Sequence, residues 1–253
     1  VGGALSATAT TGNITQSGAL TITGVTTIAA DSGNNITLSN TSNNFQAAVR
    51  ITSGNNVTLV DAGAIDLGAS TVSGTYAVTA TAGGDITDSG VLAITGTSAF
   101  TVAGGRNITL DQSSTFSSTV TFASSGTIAS VTINDRNAFD LKTLTTTGNL
   151  TVTAGGNITD SGTVTVGGNL AATTDASNGA IDFGTLAVDG TMALVTDGNG
   201  AATVVNDAGL NFAASTVGGA LSATATTGNI TDSGALAITG TTTLVTSAND
   251  ATI

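Results

Sequence analysis

Every acid in this chain is an aspartate, and the sixteen carboxylates are its best-equipped groups for chemistry, because the sequence contains no His and no Cys. Without His there is no base for a Ser–His–Asp arrangement. Without Cys there is no thiolate nucleophile, thiolate metal site or disulfide. Two carboxylates at a suitable separation can cleave a glycosidic bond, and the candidate pairs are Asp61 with Asp66 and Asp85 with Asp88. One Tyr and no Trp are poor material for stacking sugars. The chain therefore reads as a non-enzyme. Asp and Asn oxygens would suit a hard cation such as calcium, but the calcium-stacking nonapeptide G-G-x-G-x-D-x-U-x is absent. Gly83-Gly84-Asp85-Ile86 and Gly104-Gly105-Arg106-Asn107 share only its first glycines. No cofactor is expected, and calcium is the alternative.

These aspartates belong to a repeated frame. Asn13-Ile14-Thr15-Gln16-Ser17-Gly18 returns as Asp85-Ile86-Thr87-Asp88-Ser89-Gly90, as Asn157-Ile158-Thr159-Asp160-Ser161-Gly162 and as Asn229-Ile230-Thr231-Asp232-Ser233-Gly234. The leading residues stand at 13, 85, 157 and 229, a step of 72 each time. Residues 1–24 and 217–240 differ only at Gln16/Asp232 and Thr21/Ala237. Self-similarity at a fixed period marks a repeat architecture.

A shorter rhythm runs inside the unit. Ile14, Ile22, Ile28 and Ile36 follow at steps of 8, 6 and 8, and Ile86, Ile94, Phe100 and Ile108 repeat those steps. Around these centres apolar and polar residues alternate, as in Leu20-Thr21-Ile22-Thr23 and Val57-Thr58-Leu59, which is the pattern of a half-buried strand. Gly33-Asn34-Asn35, Gly54-Asn55-Asn56 and Gly155-Gly156-Asn157 separate the runs with turn residues. The expected fold is all-β: a parallel β-helix, or β-solenoid, with a 72-residue super-repeat of about three coils. Three longer coils are favoured over four shorter ones. An antiparallel sandwich also shows many short strands, but it gives no cause for a fixed 72-residue phase.

Residues 1–253 are expected to form one continuous solenoid segment of a longer repetitive chain, since Val1 stands in mid-repeat. The expected inward residues are Ile14, Ile22, Ile28, Ile36, Val57, Ile86, Ile94, Phe100, Ile108, Ile158 and Ile230. Asn13, Asp85, Asn157 and Asn229 should mark corners, with amides bonding amides along the stack. Asp88, Asp160 and Asp232 should lie above one another, ~14 Å apart. Phe116, Phe122, Phe139 and Asn134-Asp135-Arg136-Asn137 break the rhythm and predict a bulged or looped coil near Lys142. Asn-x-Thr triplets such as Asn13-Ile14-Thr15 fit the glycosylation pattern, but corner Asn, inward Ile and outward Thr is what a coil demands anyway.

Composition narrows the partners. A net charge of −12 lacks the basic stripe that nucleic acid requires. No apolar run reaches the ~18 residues of a membrane helix. Abundant Thr, Val and Ile with no Pro suit strand ladders. No terminal segment reads as a polar cap, so the expected partners are the chain itself, end to end or side by side, and neighbouring repeats.

The run Gly155 to Leu170, GGNITDSGTVTVGGNL, resembles the long repeats of filamentous-haemagglutinin-type exoproteins, giant bacterial adhesins exported by two-partner secretion. The resemblance implies a right-handed parallel β-helix, an extracellular or cell-surface location, and a role as stalk or adhesive fibre. Host or neighbour-cell glycans or proteins would then be ligands of the whole adhesin.

Overall fold

The computed structural model describes residues 2–253. Among them every regular element is a β-strand, and the strand pairings are parallel. The chain divides into two units, Val1–Ala129 and Ser130–Ile253. In each, the backbone winds in coils of three short strands, and successive coils stack strand on strand along three faces.

In the first unit, one face stacks Leu5–Ala9, Thr26–Ala30 and Val49–Ser53, then Ser70–Val72, Leu92–Ile94 and the end of Ile108–Phe116. The second face stacks Ile14–Thr15, Ile36–Leu38, Val57–Asp61, Tyr76–Ala80, Ser98–Val102 and Val120–Ser124. The third begins with Thr21–Ile22 on Asn44–Phe45 and continues through Ile65–Leu67, Ile86–Asp88 and the start of Ile108–Phe116.

The second unit repeats the plan. Its first face carries Val131–Asp135, Leu150–Ala154, Leu170–Ser177, Met192–Asp197, Ser215–Val217 and Leu236–Ile238. Its second carries Phe139–Leu141, Ile158–Asp160, the start of Ile181–Val188, Ala202–Asn206, Leu221–Ala225 and Thr242–Thr246. Its third carries Leu144–Thr146, Val164–Val166, the end of Ile181–Val188, Leu210–Phe212 and Ile230–Asp232.

The alternation read in the sequence sets which side chains turn inward. Val57, Leu59 and Asp61 are buried while Thr58 and Val60 are half-exposed, and the same beat runs through Leu150–Ala154 and Leu221–Ala225. Like stacks on like: Ile14 on Ile36, and Ile86 between Ile65 and Ile108. Ile22, Ile28, Ile36, Val57, Ile86, Ile94, Phe100, Ile108, Ile158 and Ile230 are all buried. Ile14 differs: it is half-buried, because its strand has a neighbour on one side only, at Ile36.

Phe116 and Phe139 are core residues on regular strands, not members of a looped coil. Phe122 stacks on Phe100 at 6.2 Å between ring centroids, and Phe100 also meets Tyr76 and Phe116 edge-on at 6.1 Å. The predicted irregularity at 134–137 shrinks to a short turn, since Val131–Asp135 is an ordinary strand.

The coil is shorter than a third of the 72-residue period. Val57 pairs with Tyr76, 19 positions on, and Thr26 pairs with Val49, 23 positions on. A 72-residue step therefore covers three coils and one further face. Ile14 belongs to the second face of its unit, which returns at Ile36, Val57 and Tyr76, whereas Ile86 lies on the third face. The second unit does the same: Ile158, Ile181, Ala202 and Leu221 share a face, and Ile230 falls on the next. Within each unit, the sequence repeat advances by one face per period.

Candidate functional site

The four phase-marking residues do one job. Asn13 Oδ1 accepts the amide of Asn35 at 2.8 Å, and Asp85 Oδ1 accepts that of Asn107 at 2.9 Å. Asn157 Oδ1 accepts from Ala180 and Asn229 Oδ1 from Thr252, each at 2.9 Å. In each case the donor lies one coil later, at a corner whose N–H has no strand partner. Such an orphan donor is costly unless an acceptor reaches it. The job needs only a side-chain oxygen two bonds beyond Cβ, which is why Asp and Asn interchange here.

In the first unit the bonds run on from coil to coil: Asn35 Oδ1 accepts from Asn56, and Asn56 Oδ1 from Thr75. A matching run in the second unit goes from Asn149 to Asn169 and from Asn169 to Thr191. The anticipated amide-to-amide ladder is thus replaced by a side-chain-to-backbone ladder, because consecutive corners offset each Asn against the next coil's N–H and not its amide.

The second aspartate of the motif holds a different feature. Asp88 Oδ1 accepts the amides of Asp111 at 2.9 Å and Gln112 at 3.4 Å, where Ile108–Phe116 turns from the third face to the first. Asp160 Oδ1 accepts from Gly184 at 2.7 Å, and its Oδ2 from the Thr185 amide and hydroxyl at 2.9 Å, where Ile181–Val188 turns the corner. Gln16, in the first copy, instead exchanges a reciprocal amide pair with the buried Asn43. Asp160 and Asp232 do not lie above one another, since Ile158–Asp160 and Ile230–Asp232 are on different faces. The burial also differs: Asp88 is buried, Asp160 half-buried and Asp232 exposed.

The candidate carboxylate pairs do not converge. Asp61 faces the core at the end of Val57–Asp61, with Oδ2 accepting from Phe45 and Oδ1 from Gly63. Burial raises its pKa, against the pull of those two bonds. Asp66 faces out from Ile65–Leu67, on the other side of the coil wall, and accepts the Ser89 hydroxyl at 2.8 Å. Asp85 is committed to its corner and Asp88 to the interior. Among the described residues, no three carboxylates gather as a metal site would require.

Several polar groups escaped the sequence reading. Asn43 is fully buried and saturated, accepting from Leu20 and Gln16 and donating to Gln16, Leu38 and Val60. Asn206 is its counterpart in the second unit, bonded to Val188 and Gly209. The readable signal was a polar residue closing a strand before a turn, as in Val60-Asp61-Ala62-Gly63 and Asn206-Asp207-Ala208-Gly209. Lys142 joins Asp140 and Ser161, and the Ser161 hydroxyl also donates to Asp140. Burial alone would raise the Asp140 pKa; hydrogen bonds from Lys142 and Ser161, the Lys142 charge and Thr159 lower it overall.

No curated protein and no solved structure matches the chain. The family described as "Repeats of unknown function (DUF5649)" matches residues 1–52, 54–123, 129–183 and 199–253. The chain is a β-solenoid that belongs to the DUF5649 repeat family.

Proposed function

We propose that the chain is a non-catalytic structural segment, a β-helical rod within a bacterial cell-surface or secreted adhesin. The observation that supports this reading most is the use of the motif residues. In each copy the leading Asn or Asp is spent on the following coil, so these repeated polar residues serve stacking. The outward positions add support. On the second face of the first unit they read Thr15, Thr37, Thr58, Ala77, Ala99 and Thr121, short and uncharged through six strands. Such a face suits side-by-side association of rods. Ligands on the scale of a whole adhesin, host or neighbour-cell glycans or proteins, would bind elsewhere on it.

The test is the size and location of the native polypeptide. Denaturing gels of the source cells, with antibody to this chain on intact cells, should show a surface-exposed band far above 24.1 kDa. A strictly internal antigen would overturn the extracellular reading.

A second reading is a subunit that stacks end to end. A native band at 24.1 kDa that sediments as polymers would select this reading over the giant chain. Turnover of a polysaccharide, lost in Asp61→Asn or Asp66→Asn, would contradict both and mark the chain as a glycan-cleaving β-helix.

A further inference from the structure

Asp88 is the motif aspartate that faces the core. Its Oδ1 accepts the two corner amides of Asp111 and Gln112, but its Oδ2 is buried and makes no hydrogen bond. The hydroxyl of Tyr76, the chain's one tyrosine, is likewise buried, with Ser70 within hydrogen-bonding reach and Asp88 close enough for its charge to act on the tyrosine's ionisation. Ser70 is already engaged, donating to Gly68 and accepting from Ile51. An anionic oxygen enclosed without a donor is costly, whereas a neutral carboxylic acid is tolerated. The aligned Asp160 has no such problem, because donors reach both its oxygens.

Among the described residues, the surroundings offer Asp88 no counter-charge. The strand on one side, Ile65–Leu67, brings Asp66, which faces out and is held by Ser89. The strand on the other brings Asp111, whose charge opposes ionisation of Asp88. Asp85 is at the preceding corner, held to Asn107. Tyr76 comes from the second face, and Ser70–Val72 and Leu92–Ile94 on the first face bring no titratable group. Arg106 lies over Gly83, and Lys142 is paired with Asp140.

We propose that Asp88 is a protonation switch in the core of the first unit: as the neutral acid it seats the corner of the next coil, and as the carboxylate it loosens that corner. Burial pushes the Asp88 pKa up from 3.8 to about 7, against the backbone amides of Gln112, Asp111 and Asp88 itself and with the help of the Asp111 charge. The stabilising contribution is thus full below 3.8 and is lost as pH rises through about 7. A repeat that stacks firmly in mild acid and yields near neutrality is a conformational device of the coil.

The test uses the full chain, with carbon-13 NMR of the side-chain carboxyls and hydrogen exchange of the Asp111 and Gln112 amides from about pH 5 to about pH 8. The Asp88 carboxyl should titrate near neutrality. The two amides should lose about tenfold in protection across that step, after correction for intrinsic rates. In Asp88→Asn the protection should stay flat. Titration of Asp88 among the ordinary aspartates near about pH 4, or an unchanged loss of protection in Asp88→Asn, would overturn the proposal. If Asp88→Asn does not fold, the carboxyl titration of the unsubstituted chain decides alone.

Discussion

Asn157 Oδ1 accepts the amide of Ala180 at 2.9 Å, and Asp85 Oδ1 accepts that of Asn107 at the same distance in the other unit. Two residue types thus serve one geometric need, an acceptor offered across a corner to the following coil.

Asn157→Asp should therefore be nearly neutral, while Asn157→Ala should cost ~1–3 kcal/mol by leaving the Ala180 N–H without a partner. Chemical denaturation of the three chains measures the difference. Equal costs for the two substitutions would remove the acceptor role.

Close coil-to-coil approach makes some glycines irreplaceable and others not. A Cβ on Gly84 would lie 1.9 Å from the Ala64 backbone nitrogen, whereas one on Gly18 meets nothing within 4 Å. Gly84→Ala should destabilise by ~1–3 kcal/mol through forced backbone shifts, with Gly18→Ala changing little. Thermal unfolding of the pair provides the comparison.

Phe100 sits in a cluster with Tyr76, Phe116 and Phe122. Phe100→Ala should cost ~3–5 kcal/mol from lost burial and a cavity between coils. Phe100→Leu should recover much of that loss, as read by denaturant midpoints at unchanged slope.

The Asp140–Lys142–Ser161 group gives the second unit a pH response of opposite sense to that of Asp88. Its bonds hold the Asp140 pKa below 3.8, so its contribution is present above that value and fades as pH falls through the lower folded value. Both charged side chains are more than a third exposed, so screening keeps the pair below ~1 kcal/mol. Lys142→Met should lower the unfolding midpoint slightly at about pH 7 and not at all at about pH 2.

The strands and their inward residues were legible because Ile–Thr–Ile alternation leaves one solution when both sides of a strand must be satisfied. The corner role of Asn13, Asp85, Asn157 and Asn229 was also legible, since Asn and Asp replaced each other there. The stacking partners were not. A 72-residue period invites the inference that Ile14 lies beneath Ile86, yet coils of unequal length, each under a third of that period, put them on different faces. Sequence period and coil period are separate quantities, and only the pairing register reveals the second. The core-facing Asp61, Asp88 and Asn206 were hidden for another reason: each occupies an apolar beat, and what satisfies it comes from a neighbouring coil.

The measurement that bears most directly on parallel stacking is a set of spin-label distances on the second face of the first unit. The chain has no Cys, so paired substitutions label cleanly. Thr37, Thr58, Ala77, Ala99 and Thr121 occupy one register position on successive coils. With Thr37→Cys fixed and the second Cys moved along that series, the distance should lengthen by ~5 Å per coil, reaching ~19 Å at Thr121 before allowance for the label arms. Distances that alternate or fail to grow along the series would contradict the stacked coil.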